Sequence, residues 1–221
     1  MLNIAITILT AVILAAVFYL YPNLDIDVSA HFYSPESGFF LKDKFWVLAI
    51  YNGVKLITIL FVVIAAALLL KTFLKTKSLK PRYYRNIIFV TLVCLIGPGF
   101  IVHNIFKDHF GRPRPHQVEQ FGGVAHFQKP FMISSECSQN CSFPSGHASV
   151  GFMFISLAML YKGYKRKAIT ALSIFLGLGI GFIRIVQGGH FLSDVMFAGV
   201  VVFLTAYILE MMFKQVYMHK E

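Results

Sequence analysis

Six long apolar runs limit this chain more than any other feature. They fall at roughly 2–21, 49–70, 87–106, 148–161, 168–186 and 195–213. The apolar residues come in continuous blocks, not in the one-sided stripes of helices around a soluble core. A helix needs about 20 such residues to cross the hydrocarbon of a bilayer. Lipid offers no partner to an unpaired peptide group, so a chain of this kind must close its hydrogen bonds within helices. The expected fold is all-α, a polytopic membrane protein with six transmembrane helices. The fourth block reaches spanning length only if it extends back toward His147. With 57% hydrophobic and 14% charged residues, against about 25% charged in soluble domains, a single soluble core is excluded. No repeat, low-complexity tract or change of composition divides the chain, so residues 1–221 read as one integral-membrane domain. The first block has neither a basic leader nor a small-residue cleavage site before Pro22, and it reads as retained.

Loop charges predict orientation. Residues 71–86 carry six basic residues and no acid, residues 162–167 carry four more, and Lys214 and Lys220 follow near the end. The connection at 22–45 instead holds Asp25, Asp27, Glu36 and Asp43 against Lys42 and Lys44. Basic loops stay in the cytoplasm. Both termini are therefore expected inside, with 22–45, 107–146 and 187–194 on the opposite face. The net charge of +10 is largely this topological signal. The basic runs simply flank spans and no binding motif accompanies them, so a nucleic-acid partner has little support.

Unusual residues collect on that opposite face. "KDHFGRPRP" supplies Lys107, Arg112 and Arg114 just after the third block. "PSGH" supplies Ser145, Gly146 and His147 at the start of the fourth. "RIVQGGHFLSD" supplies Arg184, His190 and Asp194 between the fifth and sixth. Ionisable residues at membrane depth are costly, and they point to function. Lysine and arginine side chains converging on one point suit a multiply charged oxyanion. The Ser145 and Gly146 N–H groups at a helix start are further donors of the right polarity. His190 and Asp194 are four apart, on one helical face. A carboxylate holding one imidazole nitrogen frees the other to attack, and His147 is then available to protonate a leaving oxygen. This inventory fits phosphoryl transfer through a phosphohistidine without a metal.

In order and spacing the three clusters resemble the signature of the type 2 phosphatidic acid phosphatase (PAP2) superfamily. Lys107 is followed after six residues by Arg114-Pro115. Pro144-Ser145-Gly146-His147 comes next, and then Arg184, His190 and Asp194. Ile183 stands where the pattern has serine, which removes one phosphate hydrogen bond. The resemblance implies a PAP2/haloperoxidase-like helical core with the motifs on residues 107–194. It implies His190 as nucleophile, Asp194 as the residue raising its basicity, and His147 as proton donor and then activator of water. Lys107, Arg114, Ser145, Gly146 and Arg184 would bind phosphate. No metal and no cofactor is implied. The "CSQNCSFPSGH" run resembles the bacterial lipid A phosphatase branch, acting at the 4′- or 1-phosphate. A lipid substrate, the inner membrane and a periplasmic site follow from the same resemblance, and no obligate protein partner is inferred.

Other readings stay open at this level. An undecaprenyl-diphosphate or phosphatidylglycerol-phosphate phosphatase would use the same catalytic set. A transporter would hold an anion with the same cations and do no chemistry, although the inverted repeats common among transporters are missing. Taken singly, Lys107, Arg112 and Arg114 fit basic residues snorkelling at an interface, and Arg184 with Asp194 fits a structural ion pair. Cys137 and Cys141 form a disulfide candidate if their compartment is oxidising. A thiolate metal site lacks neighbouring ligands. Cys94 reads as a packing residue, Gly97-Pro98-Gly99 as a kink, and Gly177, Gly179 and Gly181 as a close helix contact. Lys55 in the second block has no role. The remaining histidines (His31, His103, His109, His116 and His126) read as loop or interface residues.

Overall fold

The computed structural model describes residues 2–74 and 81–218. The centre of the basic loop at 71–86 and the C-terminal Lys220 lie outside the described residues. The architecture is all-α, with one two-residue hairpin, Tyr33–Ser34 against Gly38–Phe39. Four helices are long and apolar enough to cross a bilayer: Phe45–Lys71, Arg82–Phe106, Gly163–Val186 and Leu192–Gln215. A fifth crossing is counted if Ile4–Leu20 and Asn23–Ala30, bent by 82° between them, act as one. The chain is thus a multi-pass membrane protein. Length and composition stop short of six spans because the fourth block is broken. It forms α6 (Gly146–Phe152) and α7 (Ile155–Ala158), both too short to cross alone.

Helix α1 (Leu2–Leu20) packs beside α9 (Leu192–Met218), where the rings of Phe18 and Phe197 meet at 6.3 Å. The chain then turns into α2 (Asn23–Ala30), whose inner side buries Asp25 and Ser29. Helix α3 (Phe45–Leu74) is the least enclosed span, with 11% of its apolar window buried against 44% for α9. The apolar faces of α3 need no protein cover in lipid, and the exposed Leu56, Ile59, Val63 and Ile64 fit that role.

Helix α4 (Pro81–Cys94) continues into a π-helix over Leu95–Phe106 that contains Pro98. Proline has no N–H for the α-helical ladder, and a widened turn accommodates the loss. At Gly97-Pro98-Gly99, where a kink was expected, the backbone runs as this π-helix. Next come α5 (Lys107–Phe110) and Gly111, whose φ of 58° reverses the chain against the Ser134 carbonyl. A side chain could not fit there, and the turn sends Arg112 inward.

Helix α8 (Gly163–Val186) lies against α6. A Cβ on Gly151 would stand 2.7 Å from the Gly177 Cα, and one on Gly181 would collide with Val195. Gly177 and Gly181 thus allow the close contacts expected of them, whereas Gly179 faces open space. The main core joins Val93, Ala148, Ile155, Ile185, Val195, Ala198 and Val202. At 1.5 Å per residue, Arg166 and Arg184 of α8 stand about 27 Å apart. Nearly a bilayer thickness therefore separates the end holding Arg184, His190 and Asp194 from the end holding Lys162, Arg166 and Lys214.

Candidate active site

Three distant segments meet around one cavity of about 990 Å³. Lys107, Arg114, Gly146, His147, Arg184 and His190 line it. Each reaches it from a helix end. Lys107 starts α5, His147 sits in the first turn of α6, Arg184 in the last turn of α8, and His190 in the turn before α9. That turn holds Gly188 at φ 65°, and at Gly189 any side chain would strike the Arg184 guanidinium. The two glycines let the chain fold back over the arginine and deliver His190 beside it.

His190 is 1% exposed. Its Nδ1 faces Asp194 Oδ2 at 3.5 Å and the Ser142 hydroxyl at the same distance. Asp194 is fully enclosed and accepts from the Ser142 hydroxyl at 2.5 Å and from the Phe191 N–H at 2.8 Å. Its other oxygen accepts from Arg112 Nη1 at 2.5 Å. Burial, reinforced by the charges of Arg114 and Arg184, holds the His190 imidazole well below the usual histidine range; the hydrogen bond to Asp194 opposes this. The imidazole is therefore neutral at pH 7, with Nε2 on the edge away from the carboxylate.

Arg112, off the family pattern, is the hub of a second layer. It donates to Asp194, to the Ser193 hydroxyl at 2.7 Å, to Asp25 Oδ2 at 2.8 Å and to the Gln128 carbonyl at 2.8 Å. Ser193 in turn donates to Asp25 through its N–H and its hydroxyl. The guanidinium also lies 4.4 Å from the Phe191 ring centre. A buried charge left unpaired costs several kcal/mol. Here one cation and two carboxylates enclose each other with their hydrogen bonds made. The ion pair to Asp194 is thus made by Arg112, while Arg184 bonds Gln187.

The phosphate-binding candidates separate on inspection. Lys107 Nζ donates to Asn140 Oδ1 at 2.8 Å and lies beside Gly146, 3.6 Å from where a Cβ would be. Arg114 donates to the Asn140 carbonyl at 2.7 Å and to its Oδ1 at 3.1 Å, and to the Gly189 carbonyl at 3.2 Å. Oxygens of one residue thus hold two of the cations. Asn140 lies in a loop that a disulfide between Cys137 and Cys141 closes, with Cα atoms 5.7 Å apart. Ser145 departs from expectation. Its hydroxyl caps α6 by accepting from the Ala148 N–H, and its own N–H donates to the Asp194 carbonyl. Ser145 does not line the cavity; its hydroxyl oxygen starts α6, and its N–H ties that start to α9.

His147 stacks on Tyr51 of α3, with ring centres 4.6 Å apart and planes 12° from parallel. Arg184 and Lys55 lie 4.6 and 4.1 Å from the same ring centre. Lys55 therefore has a place in the cavity wall. Among the described residues, His147 Nε2 and Arg184 Nε are buried nitrogens without a hydrogen-bond partner in the protein, whereas buried polar atoms ordinarily have one. His103 and His116 also line the cavity, and His116 bonds the Gly188 carbonyl at 2.8 Å. No carboxylate lines it among the described residues, against Lys55, Lys107, Arg114 and Arg184. Nor does any group of three or more His, Cys, Asp or Glu there suit a metal ion. From the cations the cavity runs between α3 and the π-helix past Val54, Ile59 and Val62 toward Leu95 and Pro98. From Tyr51 to Val62 this is about 16 Å of helix.

Comparison with known proteins identifies the family. The family model of the PAP2 superfamily matches residues 86–217. Over 192 residues, 86% of either chain, the protein is 38% identical to a protein named lipid A 4′-phosphatase from Francisella tularensis subsp. novicida (strain U112). A protein of the same name from Rhizobium leguminosarum is 40% identical over 102 residues, covering 46% of this chain and 43% of the relative. No solved structure matches the chain. With the family pattern covering more than half of the sequence and a relative aligned along nearly all of it, the chain belongs to the PAP2 superfamily.

Proposed function

We propose that this membrane lipid phosphatase removes a phosphate from lipid A, at the 4′ position, through a phosphohistidine on His190. The observation that carries the reading is the cationic cavity itself. Several cations and two unpartnered buried nitrogens surround a point beside His190, and an apolar channel leads away from it. The channel suits acyl chains and the cationic end a phosphate monoester. The names of the relatives support lipid A as the lipid and 4′ as the position.

In this reading Nε2 of neutral His190 attacks phosphorus while the bond to the sugar oxygen breaks. Asp194 holds Nδ1–H and stabilises the cationic ring that results. Burial and the charges of Arg184 and Lys107 push the His147 imidazole down to about 3, so it takes up a proton only with the substrate's phosphate dianion beside it, and it gives that proton to the leaving oxygen. It then takes a proton from the water that attacks the phosphohistidine, and inorganic phosphate and free His190 are released. Lys107, Arg114 and Arg184 stabilise charge on the equatorial oxygens, the largest contribution in phosphoryl transfer. The substrate phosphate would replace the Asn140 oxygens as partner of Lys107 and Arg114. The positive-inside pattern supports basic loops in the cytoplasm and, with them, a cavity on the periplasmic side of the inner membrane.

The test is release of phosphate from purified lipid A by the protein in detergent, with the product identified by mass spectrometry. Loss of one phosphate at the 4′ position, unaffected by chelator and abolished in His190→Ala, is expected. Full activity in His190→Ala overturns the nucleophile. Activity on undecaprenyl diphosphate with none on lipid A overturns the substrate.

A further inference from the structure

At the opposite end of the bundle two further cavities adjoin. One, of about 290 Å³, is walled by Arg82 and Arg85 of α4, Lys162, Arg166 of α8 and Lys214 of α9. Glu210 is its one carboxylate among the described residues. Arg166 takes both of its oxygens, at 2.8 and 2.9 Å, and Lys214 approaches to 2.9 Å. Arg82 and Lys162 line the same cavity, are exposed, and make no ion pair among the described residues. The second cavity, of about 400 Å³, is a trough between α3 and α4 lined by Phe61, Ile64, Leu68, Ile87 and Val90. The two share Arg82, Asn86, Leu160 and Tyr161 as a common wall.

Each half asks for a different chemistry. The basic half lies at the end of the spans, about 27 Å along α8 from Arg184, and suits a phosphate. The trough lies on the hydrocarbon side of it and suits an acyl chain. A soluble anion leaves the trough unfilled, and a neutral lipid leaves Arg82 and Lys162 without a counter-charge. Basic residues at a membrane surface attract anionic lipid. We infer that the paired cavity binds an anionic glycerophospholipid of the leaflet opposite the catalytic cavity, its phosphate between Arg82 and Lys162 and one acyl chain between α3 and α4. Such a lipid would brace α3, the least enclosed span, at the end away from Tyr51.

The test uses the full chain in lipid-free detergent. Thermal unfolding and native mass spectrometry follow the addition of dioleoylphosphatidylglycerol, dioleoylphosphatidylcholine or inorganic phosphate. A saturable rise in Tm and retained adducts are expected with phosphatidylglycerol alone. In the double variant Arg82→Gln, Lys162→Gln binding should weaken at least tenfold, while phosphate release by the distant catalytic cavity is kept. Ile64→Trp fills the trough from its lipid-exposed side, leaves the cations in place and should also abolish retention. It serves as the independent check if the double variant does not fold. Equal effects of phosphatidylcholine overturn the headgroup assignment, and equal effects of inorganic phosphate overturn the lipid. Unchanged phosphatidylglycerol binding in either folded variant overturns the site.

Discussion

Arg112 Nη1 and Asp194 Oδ1 stand 2.5 Å apart, both out of reach of solvent, and the same guanidinium holds Asp25 at 2.8 Å. The carboxylate that orients His190 is itself oriented by a cation the family pattern does not mark. Arg112→Lys keeps the charge and loses the fork that reaches Ser193, Asp194 and Asp25 together. A fall in kcat of about 10–100-fold is expected, the usual cost of removing a group that positions a catalytic one. KM should hardly change, since Arg112 does not face the cavity. Steady-state kinetics on the folded variant checks this split.

Asp194→Asn keeps the size of the side chain and removes the charge. If the carboxylate sets the tautomer of His190, the loss should be about 10³–10⁴-fold in kcat, the scale seen when an analogous carboxylate is replaced in a triad. A residual rate near wild type would mean that His190 does not depend on its neighbour.

The pH response follows from the burial of His190. Its folded pKa lies well below the ordinary 6.5, so the imidazole proposed as nucleophile stays unprotonated into mild acid. The acid limb of kcat/KM should therefore lie below pH 6.5 if His190 sets it. The stability effect has a definite sign. Below about pH 6.5 the unfolded chain takes up a proton that folded His190 resists. The stabilising contribution is complete above that pH and is lost as pH falls toward the folded pKa. His116, also held low by burial, acts in the same direction. Melting curves between about pH 8 and 5 should show Tm falling on acidification, and less steeply in His190→Asn.

Breaking the Cys137–Cys141 link frees the loop that carries Asn140. A bridge across so short a loop, with a sequence separation of 4, is worth about 2 kcal/mol by chain entropy. The effect should reach the site, because Asn140 holds Lys107 and Arg114 in register. In the double variant Cys137→Ser, Cys141→Ser the KM for lipid should rise severalfold. Wild-type protein treated with reductant should match it.

Tyr51→Ala removes the ring against which His147 rests, and Tyr51→Phe preserves it. Aromatic contacts of this kind contribute about 0.5–1.5 kcal/mol, so kcat should fall roughly 2–10-fold in the alanine variant and stay near wild type with phenylalanine. Similar rates in the two variants would remove Tyr51 from the account.

Much of this arrangement was legible in the sequence because motif spacing and apolar block length are local properties. Lys107, Arg114, His147, Arg184 and His190 were picked out by type and spacing, and the structure brings all five to one cavity. The partners of these residues were hidden. Asp25 lies 87 residues from Arg112, and no periodicity relates a short helix after a sharp bend to a loop so far along. Arg112 was visible in "RPRP" but indistinguishable from an interfacial arginine until its carboxylates were seen. Tyr51 looks like any aromatic residue of a lipid-facing span. The cap at Ser145 was not legible, since a serine before a helix can present its hydroxyl outward or cap the helix, and here it caps. The fourth block also read as longer than its helices are, because hydropathy registers apolar content and misses the break after Phe152.

The bend after α1 has one more implication, for anyone dissecting the chain. The region matched by the family runs from residue 86 to 217 and contains every signature residue from Arg114 onward, with Lys107. Yet Asp25 and Tyr51 come from upstream of it. A fragment trimmed to that matched region would carry all of the signature residues, while Arg112 would face Asp194 without its second carboxylate and His147 would have no aromatic floor. The amino-terminal third thus shapes the surroundings of Arg112 and His147, and expression tags or truncations there should be treated as alterations of the candidate site.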